Sequence, residues 1–333
     1  MELKFKEADD GYRATFITGG RCGLLLNRER EGVVYFNYSD GDGEPVPIPY
    51  ADRRKDIYIP FNLPSGVWVT VVSKTPVLYA AVSGDAEVVP DVDPTQRYYP
   101  NAVQDYDGNW YDAVILGDQV WMAESLRTKH SPSGDVLSFD YPNNDSSNKN
   151  VYGLLYDWET MMNGEQASSL NPSGVVGIGP NGWHIPSRDE WAQLMDYVGS
   201  DSRFYLNNDN TYIAKALASK TGWKYSGVDY TPGNNYSDNN ATGFNAMPSG
   251  LTQGNFGYFS TYWSATLPVP GQIYRTSFWI RYHDATVSAD MQSEKVATYS
   301  VRCICDKTPD AFAKWYVKTY KTTNHQVENK YAE

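Results

Sequence analysis

Residues 180–191 read Pro180-Asn181-Gly182-Trp183-His184-Ile185-Pro186-Ser187-Arg188-Asp189-Glu190-Trp191, and the parsing of the chain starts there. Asn181-Gly182 is a turn pair. An extended segment follows, and Ser187 then stands where a helix can begin. Its hydroxyl can accept a backbone N–H three residues on while Glu190 reaches back, which is a capping box. Trp191, Leu194, Met195 and Val198 fall at i, i+3, i+4 and i+7, one apolar stripe. Just upstream, Gly177-Ile178-Gly179-Pro180-Asn181-Gly182 matches Gly-x-Gly-x-x-Gly in form. A dinucleotide site needs a helix to open there, so that its N-terminus meets the pyrophosphate. The extended Trp183-His184-Ile185-Pro186 takes that place, so the motif reads as a glycine-rich turn.

Further elements extend on both sides. Tyr152 to Met162 reads as a helix with Leu155, Trp158 and Met162 on one face and Asn163-Gly164 as its stop. Ile213, Ala216 and Leu217 suggest another short helix. Asp107-Gly108 is a hairpin signal ahead of a strand from Tyr111 to Ile115. From Phe244 the chain turns to β structure and ends in Tyr299-Ser300-Val301-Arg302-Cys303-Ile304-Cys305, where Arg302 is expected to anchor a carboxylate or carbonyl. Thr308-Pro309-Asp310 can start a last helix, with Pro at its first position. Phe312, Trp315, Tyr316 and Thr319 would share a face of it, packed on the domain or on a neighbouring subunit.

Residues 1–85 carry short strands at Tyr12–Phe16, Val33–Tyr38, Asp56–Ile59, Val67–Val72 and Val77–Val82, punctuated by Gly, Asp and Pro. That spacing suits a small antiparallel sandwich or barrel. Residues 86–100 are acidic and proline-punctuated, as a semi-extended linker is. The expected organisation is therefore a β-rich domain over 1–85, a linker over 86–100, an α+β domain over 101–306 and a helical tail over 307–333.

Composition limits the function. The 333 residues are 41% apolar and 20% charged, with a net charge of −12. Sizeable cores are possible and global disorder is not expected. A nucleic-acid binder needs a basic face, and anionic lipid repels an acidic chain. No apolar run reaches the ~18 residues of a membrane span, and Met1-Glu2-Leu3-Lys4-Phe5-Lys6 lacks the apolar core of a signal peptide. The expectation is a chain made in the cytosol that neither inserts in a membrane nor binds nucleic acid. Cys22, Cys303 and Cys305 cannot form a disulfide framework, and all three are expected as thiols. Aromatic content is high, with 10 Trp, 27 Tyr and 11 Phe. Tyrosine among Asn, Gly and Ser is the composition of recognition surfaces, and also of loop-rich β folds with half-buried rings.

Motifs of chemistry are sparse. None of His130, His184, His283 and His325 pairs with Cys or His at zinc spacing. Asp105-Tyr106-Asp107-Gly108-Asn109 begins like a calcium loop, but Trp110 and Leu116 stand where that loop needs Gly and Glu. Asp40, Asp42 and Glu44 read as an exposed acidic turn. No nucleophile elbow or Walker loop occurs, and the many carboxylates give no positive sign of a glycosidase pair. No catalytic residue, metal or cofactor is expected.

Six blocks then carry a resemblance. Asp107-Gly108-Asn109 with Tyr111 and Val114–Leu126 form the first, and Tyr152–Trp158 the second. Pro180–Ser187 with Glu190-Trp191 is the third. Gly243–Gly250, Tyr262–Thr266 and Ser300–Cys303 complete the order. Together they resemble the Fibrobacter succinogenes major paralogous domain. The resemblance implies a C-type-lectin-like fold, with two helices, a twisted antiparallel sheet and long loops. It departs from the family at Gly179-Pro180-Asn181, where a cysteine is usual, so a lectin-type bridge to Cys303 does not carry over. The calcium-binding elements of sugar lectins and the paired cysteines of formylglycine-generating enzymes are also absent.

Trp121, Trp158, Trp183, Trp191 and Trp263 are expected in the core. In related display proteins the late segment forms the binding face. That implies a ligand-binding set here of Tyr258, Phe259, Tyr262, Tyr274, Arg275, Trp279, Arg281, Tyr282 and His283, rings and arginines of the kind found at binding hot spots. Strand alternation would bury about half of them.

The expected function is a non-enzymatic adhesin that recognises a bacterial surface glycan or protein. Within that reading, the chain is a bacteriophage fibre or receptor-binding protein assembled in the host cytoplasm. Residues 1–85 would join a virion protein, and the assembly would be a homotrimer whose avidity offsets weak single sites. The alternatives are a bacterial surface protein of the same family and a glycan-active hydrolase.

Overall fold

The computed structural model describes residues 2–8, 11–28, 33–38, 48–49, 57–62, 68–74, 76–88, 96–252, 254–267, 274–294 and 296–317. The acidic turn of Asp40, Asp42 and Glu44, linker residues 89–95 and Thr319 lie outside the described residues. Two units divide the chain, Met1–Pro94 with Lys314–Glu333, and Thr95–Ala313.

In the first unit, β1 (Lys6–Ala8), β2 (Gly11–Arg28), β3 (Val33–Tyr38), β4 (Ile48–Pro49), β5 (Ile57–Asn62), β6 (Trp68–Ser73) and β7 (Val77–Val88) join one sheet. The 18-residue β2 organises it. Its first half pairs with β6 from Tyr12 to Ile17, its second half pairs with β5 from Arg21 to Leu26, and β7 follows it antiparallel with a register shift between Thr18 and Cys22. Alternate residues point one way along each strand. Ala14 and Phe16, Leu24 and Leu26, Val34 and Phe36, Val69 and Val71, and Ala80 and Val82 thus fill a single core.

The second unit carries two antiparallel sheets. β8 (Tyr98–Gln104) and β9 (Trp110–Leu116) form a hairpin, and β10 (Gln119–Met122) returns beside β9. With β11 (Trp183–His184) and β15 (Ile304–Cys305) they give the order β11-β15-β10-β9-β8. β12 (Phe259–Trp263), β13 (Tyr274–Arg281) and β14 (Val287–Glu294) form the other sheet. The helices are α1 (Lys149–Tyr152), α2 (Trp158–Met162), α3 (Arg188–Ser200), α4 (Ala214–Leu217) and α5 (Pro309–Tyr316).

Helix α3 starts where the capping box places it. Ser187 Oγ accepts from Glu190 N at 3.2 Å, and Glu190 Oε2 accepts from Ser187 N at 2.9 Å. The stripe it presents sets the core. Trp191 touches Trp121 at 4.5 Å between ring centroids, Phe278 at 4.4 Å and Tyr262 at 5.7 Å. One ring therefore ties β10, α3, β12 and β13 together. Aromatic rings bury the most area per residue, roughly 150–250 Å² each. All five tryptophans expected inside are buried.

Arg302 is fully buried between the Phe244 and Tyr262 rings, 4.2 and 5.0 Å from their centroids, and donates to the Phe244 and Asn245 carbonyls. The sequence from Tyr152 to Met162 departs from the expected single helix. Gly153 has φ +82°, and Leu154 and Leu155 donate to the carbonyls of Leu126 and Asp140 at 2.9 and 3.0 Å. That strand-like pairing splits the stretch, and α2 restarts at Trp158 with Asp157 Oδ1 accepting from Thr160 N at 2.8 Å. The run from Phe244 is irregular up to β12, and within Tyr299–Cys305 only Ile304–Cys305 forms a strand. Cys303 and Cys305 are free and buried, and burial pushes the Cys305 thiol up to about 11.

Candidate functional site

The three-stranded sheet sorts the late aromatic residues by face. Cross-strand pairing sets Tyr262 opposite Phe278, Ser260 opposite Ile280, and Phe259 opposite Arg281. Phe278, Ile280 and Tyr262 point into the core. Tyr262 is therefore a core residue and not a ligand contact: its ring packs on Trp191, and Arg302 donates to its hydroxyl at 3.2 Å. Arg275 also leaves the expected set. It is buried with its guanidinium 4.5 Å from the Trp158 ring centroid, and it reaches Glu159 at 3.4 Å. The first correction follows from the two-residue strand period; Arg275 shares the Trp279 face and is buried instead by Trp158 and Glu159, which cover that end of β13.

On the opposite face Phe259 and Trp279 lie 5.0 Å apart, and the Arg281 guanidinium sits 5.3 Å from the Trp279 ring. Trp279 is half-buried and donates through Nε1 to Ser277 Oγ at 2.7 Å. Tyr274 is exposed at the start of β13.

Tyr258, Tyr282 and His283 stand at the end of this sheet. The Tyr258 and Tyr282 rings meet edge to face at 5.1 Å, and Tyr282 lies 4.6 Å from His283. A long loop runs directly beside them. Lys224 N donates to Gly257 O and Gly233 N to Tyr282 O, each at 2.8 Å. Between those two tethers the loop exposes Tyr225, Val228 and Tyr230 at 76%, 54% and 41% of their full surface; Tyr258, which follows the tether at Gly257, is 40% exposed.

This loop is irregular yet tightly held. Lys215, on α4, is only 4% exposed and donates through Nζ to the carbonyls of Thr231, Asn234 and Asn235. Burial lowers its pKa, and the charge of Asp238 opposes that shift. Asn239 Nδ2 bridges the Ser219 and Pro232 carbonyls at 2.8 and 3.0 Å. Tyr230 is held at φ +65°, a left-handed conformation that costs a side-chain-bearing residue roughly 1–2 kcal/mol. Its neighbours must therefore over-determine it, as happens at binding loops.

Tyr225, Val228 and Tyr230 were not among the residues singled out by sequence. Their signal is compositional: Tyr225-Ser226-Gly227-Val228-Asp229-Tyr230 has the Tyr, Ser and Gly content of a recognition loop. Lys215, charged within Ile213-Ala214-Lys215-Ala216-Leu217, was the local sign of a buried cation.

Two other buried polar clusters are committed to structure. His184 lies between Glu190 at 2.7 Å and Asp306 at 2.6 Å. Burial acts to lower its pKa, but the hydrogen bond and charge of Glu190, then those of Asp306, raise it overall. Asp105 takes the Asn109 backbone and side-chain donors and the Tyr111 hydroxyl, which fixes the hairpin turn. Among the described residues no three His, Cys, Asp or Glu side chains converge as metal ligands do, and no helix is long and apolar enough to cross a membrane.

A mixed two-sheet unit built on Trp191, with long tethered loops carrying exposed rings, belongs to the class of α+β domains. The model of the Fibrobacter succinogenes major domain matches residues 114–305, more than half of the chain. The protein belongs to that family. No curated protein and no solved structure matches the chain.

Proposed function

We propose that the chain is a non-enzymatic adhesin whose family domain, C-type-lectin-like in fold, recognises a bacterial surface glycan or protein. The observation that carries this reading is the tethered loop: Tyr225, Val228 and Tyr230 are each exposed on backbone held by Lys215, Asn239 and the Gly233–Tyr282 bond, and Tyr258 is exposed beside the Lys224–Gly257 tether. Rigid, exposed tyrosines offer contact area at low entropic cost, since a tyrosine has only two side-chain torsions to fix. The C-type-lectin-like assignment is supported by helix α3 packed between two antiparallel sheets and by long irregular loops. In this proposal residues 1–85 join a virion protein, the particle assembles in the host cytoplasm, and three copies supply avidity.

The test combines attachment and turnover. Labelled full-length chain is applied to candidate host cells and to a glycan array, with reducing-end analysis of the glycans afterwards. Saturable attachment that Tyr225→Ala and Tyr258→Ala weaken, with no new reducing ends, is the expected result. Release of new reducing ends would identify a hydrolase and overturn the reading.

A further inference from the structure

We propose that a pocket at the tip of the β8–β9 hairpin binds the ring of one neutral sugar residue. None of its residues belongs to the tyrosine loop, so the inference stands apart from the reading above. Three segments wall the pocket: residues 104–106 of the hairpin, 128–132, and 178–181. Its volume is about 170 Å³. That exceeds the ~30 Å³ share of one water and falls below the ~300 Å³ of a drug-sized site, so it suits one small ring.

The walls mix two rings, Tyr106 and His130, with polar side chains and with apolar Ile178, Pro132 and Pro180. Tyr106 is 60% exposed, and its ring lies 5.7 Å from that of His130. Gly134 makes room for it: a Cβ there would come within 2.6 Å of the Tyr106 hydroxyl, and φ is +94°. His130 is aimed by a carboxylate, with Nδ1 2.5 Å from Asp107 Oδ1. Asp107 Oδ2 in turn accepts from Lys129 N at 2.5 Å and Thr128 Oγ1 at 3.0 Å. That network selects the tautomer with its proton toward Asp107. It leaves His130 Nε2 with no hydrogen-bond partner among the described residues. Gln104 and Asn181 add amides, which both donate and accept, with Gln104 Nε2 already giving one bond to Gly108 O at 3.3 Å.

These features select the ligand class. The carboxylates of Asp105 and Asp107 are both committed to hydrogen bonds, yet their charge opposes an anion. A purely apolar ligand would strip water from Nε2 and two amides without replacing its hydrogen bonds, which opposes binding. A pyranose has an apolar C–H face to lie on Tyr106 and a hydroxyl edge for the imidazole and the amides. Neutral sugars therefore match where anions and hydrocarbons do not.

Saturation-transfer NMR on the full chain tests this, with methyl glycosides of glucose, galactose, mannose and N-acetylglucosamine, and glucuronate as the anionic probe. Transfer to ring C–H protons of at least one neutral glycoside is expected, with glucuronate weaker. Tyr106→Ala and His130→Ala should each weaken binding roughly tenfold while the melting temperature stays near wild type. If either variant unfolds, Gly134→Ala, which displaces the Tyr106 ring, serves in its place. No transfer from any neutral glycoside at tens of millimolar would overturn the proposal, as would glucuronate binding best. Binding lost with Tyr225→Ala but kept with Tyr106→Ala would also overturn it, while leaving the tyrosine loop as a sugar site.

Discussion

Trp191 lies flat on Phe278, with ring centroids 4.4 Å apart and planes 4° from parallel. The contact joins helix α3 to β13, and both rings are fully buried. Phe278→Ala leaves a cavity beside Trp191, and such truncations cost about 3–5 kcal/mol. Urea unfolding should show that loss of stability, with the tyrosine loop loosening because β13 leads into Tyr282. A loss of only about 0.5 kcal/mol, the size of a surface change, would mean the stack contributes little.

His184 makes stability depend on pH in a predictable direction. Its folded pKa is raised above the ordinary 6.5. Below about that value both folded and unfolded chains hold the proton, and the full stabilisation from Glu190 and Asp306 is present. As pH rises through the folded pKa the proton is lost and the stabilisation goes with it. Urea midpoints measured upward from pH 6 should fall more in the wild type than in His184→Gln. Parallel curves for the two proteins would count against this account.

Lys215→Met removes the donor that three loop carbonyls share. Thr231 O and Asn235 O keep backbone donors from Asn234 and Asp238, so Asn234 O is the carbonyl that loses its partner, at roughly 1–3 kcal/mol unless the loop moves to reach water. The expected result is faster hydrogen exchange at residues 231–235 and weaker attachment, although no exposed ring has been altered. Unchanged exchange would show that Asn239 and the backbone bonds hold the loop alone.

Tyr225→Ala and Tyr258→Ala should weaken attachment with stability changes within about 0.5 kcal/mol, as for exposed positions. Trp279→Ala should differ. Its ring is half-buried against Phe259 and its Nε1 is bonded to Ser277, so attachment and stability should fall together. Thermal melts run beside the attachment assay separate the two behaviours.

Legibility in the sequence followed the range of the interaction. The α3 start was readable because a capping box spans four residues and its stripe repeats over two turns. The α1–α2 break was not, since it depends on Leu126 and Asp140 lending carbonyls to Leu154 and Leu155. For the late segment, alternation suggested that about half of the nine residues would turn inward, and the structure buries two, Tyr262 and Arg275. Alternation did not say which, because that depends on the pairing of Tyr262 with Phe278. The Tyr225–Tyr230 loop was legible only as composition, since its tether comes from a lysine on α4.

The lysine beneath the loop has one more consequence. An ion that organises a loop can be stripped by a chelator or diluted away, and the loop's shape then follows the supply of that ion. Lys215 is covalently part of the chain, so a chelator cannot strip away the group that holds the loop. The anchor under Tyr225 and Tyr230 is thus inherited with the sequence rather than recruited from solution.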